Sequence, residues 1–297
     1  MAPAALSLTL LILCTTPPLT SAGFPHLKGW QRSSSSSSSR WTRLWRRGSS
    51  SSTPPTRTVP PEGFYVPMSN GGSMLTSVPN TFPPGQGEPV NAILSGSSDA
   101  QVLVDQETDG GMRNYFLSFG FSGECLGQHS GSDQAVDLGD GDGFQNETSV
   151  IRWNYGDAQL GSCQETIQGG NHFRYWVQNG PAADSGAIFM AVSYEMPISQ
   201  DHDIIVNGYN LGRDWLIGNI THQLVPTPNI TNGTSYSGTT AWANYTYQTD
   251  ITYRAGLLEN TNFNINHNFS VGVDGVNASD GLVAVLDVKI TGVPAKS

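Results

Sequence analysis

Apolar positions in this chain fall into short runs separated by stretches rich in glycine, proline and asparagine. Such spacing favours strands over long helices. Pro89 to Leu94 reads as a short buried strand. Ser97 or Ser98 is placed to cap a helix through Val102 to about Gln106. Asn114 to Phe121 is a dense apolar cluster, readable as helix or strand. Val150 to Tyr155, His172 to Val177 and Ala187 to Tyr194 have the β-branched and aromatic bias of strands, and Ile204 to Val206 extends that set. Asn207 or Asn210 then caps a helix reaching roughly His222, with Leu211, Trp215 and Leu216 as its buried stripe. Gly208, Gly212 and Gly218 weaken that helix. Thr246 to Arg254 alternates: Tyr245, Tyr247, Thr249, Ile251 and Tyr253 share one face, and Asn244 starts the polar one. Leu282 to Ile290 is a final strand. The pattern predicts an α+β, strand-dominated domain, a mostly antiparallel sheet with one or two packed helices.

The pattern is not uniform along the chain. Leu6 to Cys14 is an apolar run of signal-peptide length, too short to span a bilayer. Pro17 and Pro18 end it, and Thr20-Ser21-Ala22 offers a cleavage site after Ala22. Residues 23–61 hold two serine runs, four prolines near the end and seven basic residues, a composition that cannot form a core. We therefore expect a leader at 1–22, a disordered segment at 23–61, a Pro/Gly-rich lead-in at 62–85 and one globular domain at 86–292. No later stretch reads as a membrane span.

Charge sharpens the picture. Seven of the 14 basic residues precede residue 61 and no Asp or Glu does. The remainder carries 7 basic against 24 acidic residues, a net of −17, which argues against nucleic acid as a partner. Seven sequons, at Asn146, Asn219, Asn229, Asn232, Asn244, Asn268 and Asn277, fit an exported glycoprotein. Asn229 and Asn232 are too close for full occupancy of both. Once Cys14 leaves with the leader, Cys125 and Cys163 form an even pair suited to a disulfide in an oxidising compartment. The expected location is extracellular.

Nucleophile elbows, zinc-protease helices, phosphate loops and dinucleotide fingerprints are missing from the sequence. Three stretches carry chemistry. On a strand, His172, Arg174 and Trp176 share a face able to receive an anion or a sugar. In Asp201-His202-Asp203 an imidazole lies between carboxylates, suited to acid–base work or a metal, and Arg213-Asp214 follows. Asp137 to Gly143 alternates Asp and Gly like a calcium loop, but Leu138 and Ser149 stand where an EF-hand needs ligands. A flexible acidic loop is the plainer reading there.

The order HxRxW, a hydrophobic strand ending in Glu195, the His202-Asp203 turn, the Arg213-Asp214 pair and a late Asp280-Gly281 resembles the LssY C-terminal domain. The similarity runs from about residue 88 to 290. Asn210 and Gly212 stand where that family usually has two carboxylates. The resemblance implies a shared fold more than a shared activity. The expectation from the sequence is an extracellular protein binding wall glycan or a small ligand, with no cofactor and no metal centre defined. The alternative is a secreted hydrolase using His172, Arg174, His202, Asp203, Arg213 and Asp214 as its catalytic set.

Overall fold

The computed structural model describes residues 57–129, 131–273 and 275–293. The expected leader, and the Ser/Arg/Pro-rich segment up to residue 56, lie outside the described residues. In chain order the strands are β1 (Ala92–Leu94), β2 (Phe121–Gly123), β3 (Ala135–Asp137), β4 (Phe144–Asn146), β5 (Ser149–Trp153), β6 (Gly170–Gly180), β7 (Ala183–Glu195), β8 (Ser235–Trp242), β9 (Tyr245–Thr261) and β10 (Ser279–Gly292). The helices are α1 (Met112–Leu117), α2 (Gly161–Gln168), α3 (Gly208–Thr221) and α4 (Asn268–Val271).

Eight strands make one sheet in the order β2-β5-β6-β7-β1-β10-β9-β8, and β3 and β4 form a separate hairpin. Only the β1–β10 pairing within the large sheet is parallel. The domain is thus α+β with a mostly antiparallel sheet. Strand alternation sends Phe173, Tyr175, Met190, Val192, Tyr247, Ile251 and Tyr253 to one core, where α1 and α3 add Tyr115, Phe116, Leu216 and Ile217. Trp176, Phe189, Ala191 and Val285 pack in a second core with Val136 and Leu138. Phe64 and Met74, from the Pro/Gly-rich stretch before the domain, complete it.

Several local expectations change. Ser98 and Asp99 do not open a helix; residues 96–103 form turns. The Val288 N–H donates to Ser98 Oγ, so β10 claims one of the two expected capping groups, and the Ile290 N–H donates to the neighbouring Asp99 Oδ2. The Asn114–Phe121 cluster divides into the end of α1 and the start of β2, with Gly120 at φ 89° between them. Ile204 makes a single bridge to Glu195 rather than a strand. Asn244 is not on a strand face: Ala243 and Asn244, at φ 48° and 65°, form the two-residue turn between β8 and β9.

Helix α3 starts after Asn207 as expected, but its buried stripe is Leu216, Ile217 and Ile220, while Trp215 is 52% exposed. The reason is Gly212. A Cβ there would stand 2.7 Å from the Ser193 carbonyl carbon, and the Gly212 carbonyl accepts Asn171 Nδ2 at 2.8 Å. The glycine that weakens the helix on propensity lets it lie against the backbone of β7, and this contact sets which face turns inward. Trp215 instead meets Tyr194 edge-on at 5.3 Å.

A buried ion pair fixes the same helix to the far half of the sheet. Arg213, fully buried, contacts both Asp214 oxygens, both Asp280 oxygens and the Leu282 carbonyl. Tyr253 donates its hydroxyl to Asp214 at 2.7 Å and lays its ring 5.1 Å from the guanidinium. Gly212→Ala is expected to cost roughly 1–3 kcal/mol by forcing α3 away from β7, whereas Gly218→Ala, whose nearest neighbour is the Gln223 carbonyl at 3.1 Å, is expected to cost less. Urea unfolding of the two variants checks the order.

Candidate functional site

Strand register assembles a polar cluster from residues far apart in sequence. Arg152 of β5 pairs with His172 of β6, and His172 pairs with Ser193 of β7. Paired residues point to the same side of a sheet, so Arg152, His172 and Ser193 form a row. Glu195 follows two residues on, as β7 ends. Its carboxylate accepts Arg152 Nη1 at 3.1 Å through Oε2 and lies 3.4 Å from His172 Nε2 through Oε1.

Helix α2 supplies the next member. Glu165 is completely buried, and its Oε2 accepts the same Arg152 Nη1 at 2.9 Å. Glu124 approaches Arg152 Nη2 at 3.8 Å. Cys125 and Cys163 are bonded, with Cα atoms 4.5 Å apart. The cross-link therefore lies next to Glu124 and two residues before Glu165.

The turn after β7 closes the cluster. Asp201 and His202 are both left-handed, at φ 58° and 54°. His202 Nδ1 is buried 3.3 Å from Glu195 Oε2, off the line of a good hydrogen bond, so Glu195 acts on the imidazole chiefly through its charge. The His202 side chain is 26% exposed, and that exposure falls on atoms other than Nδ1.

Burial separates the charge states. It pushes the Glu165 carboxyl up to about 7, with Arg152 opposing and Glu195 adding to the rise. It pushes His172 down to about 3 against the pull of Glu195, so this imidazole is neutral at physiological pH. Burial would also raise Glu195, but His172, His202 and Arg152 outweigh it and hold that carboxyl well below the usual range. With His172 neutral, we assign the effect to Arg152 and His202. The close approach of Glu195 raises His202 against a smaller desolvation.

The residues expected from sequence divide three ways. His172 and His202 meet at Glu195. Arg174 shares the His172 face but pairs with Glu147, which also accepts the Gln134 N–H. Asp203 turns away to His267 Nδ1 at 2.5 Å, Ser270 Oγ at 3.1 Å and the Ile204 N–H at 2.9 Å. Arg213 and Asp214 belong to the structural ion pair under α3. Arg152, Glu165 and Glu124 were not singled out by the sequence. The available signals were Arg152 as the one charge in Val150–Tyr155, and two acids flanking the paired cysteines.

In the Asp/Gly loop, Asp137 and Asp140 are taken up by backbone N–H groups. Asp137 Oδ1 accepts the Gly139 N–H, while Asp140 accepts those of Asp142 and Gly180. A second acidic group surrounds His129, whose Nδ1 lies 2.8 Å from Glu124 and whose Nε2 lies 3.4 Å from Asp133 and 4.0 Å from Glu147.

The molecule is thus an α+β domain with a buried ionic centre where β5, β6 and β7 end beneath α2. No family model matches this chain, and no curated protein or solved structure matches it.

Arg152→Met should cost roughly 3–5 kcal/mol, because it leaves buried carboxylates without their cation. Adding Glu165→Gln should recover part of that loss. Denaturant unfolding of the single and double variants measures both.

Proposed function

We propose that the chain is an exported hydrolase whose centre is the Arg152 cluster, with His202 as the proton-transferring group. One observation carries the reading: a partly exposed imidazole is backed by a buried carboxylate that a buried guanidinium holds in place. The arrangement follows the logic of a carboxylate-supported general base. Two consecutive non-glycine residues in the left-handed region, each costing on the order of 1–3 kcal/mol, present His202 to Glu195, and such strain concentrates at working sites.

In this reading His202 takes a proton from water as the water oxygen bonds to a carbonyl or phosphoryl centre. It returns the proton to the departing oxygen as the old bond breaks. Glu195 stabilises the transient imidazolium, and Arg152 keeps Glu195 charged. Three of the residues that carry the resemblance to the LssY C-terminal domain, His172, Glu195 and His202, meet here, which favours a common site over a common fold alone.

Export is supported by the Cys125–Cys163 bond and by exposed sequons at Asn146, Asn229, Asn232 and Asn244. Among the described residues, no helix is long and apolar enough to cross a membrane. Not every sequon is equally free. Asn277 donates Nδ2 to Asn260 at 2.9 Å, and Asn219 buries its Nδ2 without a partner. Mass mapping of the secreted protein after enzymatic deglycosylation should find Asn244, and one of Asn229 and Asn232, occupied, with Asn219 and Asn277 bare.

The catalytic test is a panel of ester, phosphoester and glycoside substrates. His202→Ala is expected to lower kcat by about 10²–10⁴-fold while leaving the fold intact by circular dichroism. Equal turnover in the variant removes His202 from the mechanism. Saturable binding of a wall glycan or small ligand, with no turnover in the wild-type chain, would replace the hydrolase reading with a binding role.

A further inference from the structure

We infer that Glu165, His172 and Glu195 form a binding site for one divalent transition-metal ion beside His202. The inference deepens the hydrolase reading and rests on it only for the ion's use, not for its binding.

The geometry begins with Arg152. Its Nη1 takes Oε2 of Glu165 at 2.9 Å and Oε2 of Glu195 at 3.1 Å. Each carboxylate is anchored by one oxygen and keeps the other. Glu165 Oε1 is buried and has no hydrogen-bond partner. Glu195 Oε1 faces His172 Nε2 at 3.4 Å, and Ser193 Oγ lies 3.3 Å from the same nitrogen. One donor atom from each of Glu165, His172 and Glu195 lies within 4.8 Å of the other two, and all three residues are buried. A buried carboxylate oxygen without a donor is costly, so the fold keeps this one for something that accepts its lone pair.

The His172–Glu195 separation suits a shared metal better than a direct contact. A charge-assisted N–H···O bond is normally about 2.7–2.9 Å. Two donors held at about 2.0–2.1 Å on a tetrahedral ion stand roughly 3.3–3.4 Å apart. The His172–Glu195 distance matches the second figure. Guanidinium anchoring of the far oxygens matches the way outer contacts orient metal-binding carboxylates. Charge agrees in direction: Glu124, Glu165 and Glu195 share one guanidinium, which leaves room for an added cation.

The donor set selects the metal class. One imidazole and two carboxylates, without thiolate, suit zinc, manganese, cobalt or iron(II). Calcium needs six to eight oxygens and is disfavoured. Three protein ligands leave a fourth position for water, and His202, on the far oxygen of Glu195, is the nearest partly exposed base to receive that water's proton.

The probes are zinc and manganese chlorides added to the chelator-treated, full-length secreted protein. Isothermal titration and metal analysis should give one ion per chain. Glu165→Gln should weaken binding by at least about 10-fold, the effect of disturbing a designed ligand shell. Asp133→Asn, in the exposed His129 group, should leave it unchanged. The cobalt(II) form should show the intense visible bands of a tetrahedral site in the wild type and lose them in Glu165→Gln. No stoichiometric binding by the wild type overturns the proposal, as does binding that Asp133→Asn abolishes and Glu165→Gln does not. If Glu165→Gln does not fold, the wild-type stoichiometry and the cobalt spectrum decide alone. Metal binding without turnover leaves this site standing and removes the hydrolase. Full, His202-dependent turnover by chelated, metal-free protein, which also fails to bind the added ions, does the reverse.

Discussion

The guanidinium of Arg152 is the contact on which this molecule's chemistry depends. It lies almost out of water, and within 4.0 Å of it stand carboxylates from the end of β7, from α2 and from the turn after β2. Burial works against its charge, and Glu165 and Glu195 more than offset that. One nitrogen, Nη1, holds both Glu165 and Glu195, while Nη2 faces Glu124. Three separate segments therefore have their positions set by one side chain, which the register of β5 against β6 places in turn.

Arg213 offers the instructive contrast. It too is fully buried among carboxylates, yet its N–H groups are spent on Asp214, Asp280 and a carbonyl, and an aromatic face covers it. A saturated network of that kind joins a helix to a sheet. Around Arg152 the balance is incomplete, because Glu165 Oε1 and His172 Nδ1 have no partner. Unspent polar capacity in a low-dielectric site marks a place where chemistry happens, since a fold gains nothing by leaving it idle.

Local patterns were readable before the fold was known. The alternation of Thr246 to Arg254 and the aromatic runs at His172 and Ala187 became β9, β6 and β7, because side-chain periodicity is a property of a few consecutive residues. Where distant segments compete, the reading failed. Ser98 looks like a helix cap until β10 takes its side chain, and Trp215 looks buried until Gly212 decides how α3 rolls. The site behaves likewise. His172 and His202 were legible as residue types in suggestive company. Arg152 and Glu165 were not, because their roles come from strand register and from a cross-link 38 residues long. Proximity in sequence also misled: Asp203 is adjacent to His202 yet faces His267.

The Cys125–Cys163 bond has a consequence for how the cluster is made. One of its half-cystines adjoins Glu124 and the other precedes Glu165 by two residues, so closing the bond delivers both acids to the same guanidinium in one event. Maturation of the ionic centre is thereby tied to thiol chemistry. A nascent chain held under reducing conditions would have only the guanidinium to gather its carboxylates against their mutual repulsion.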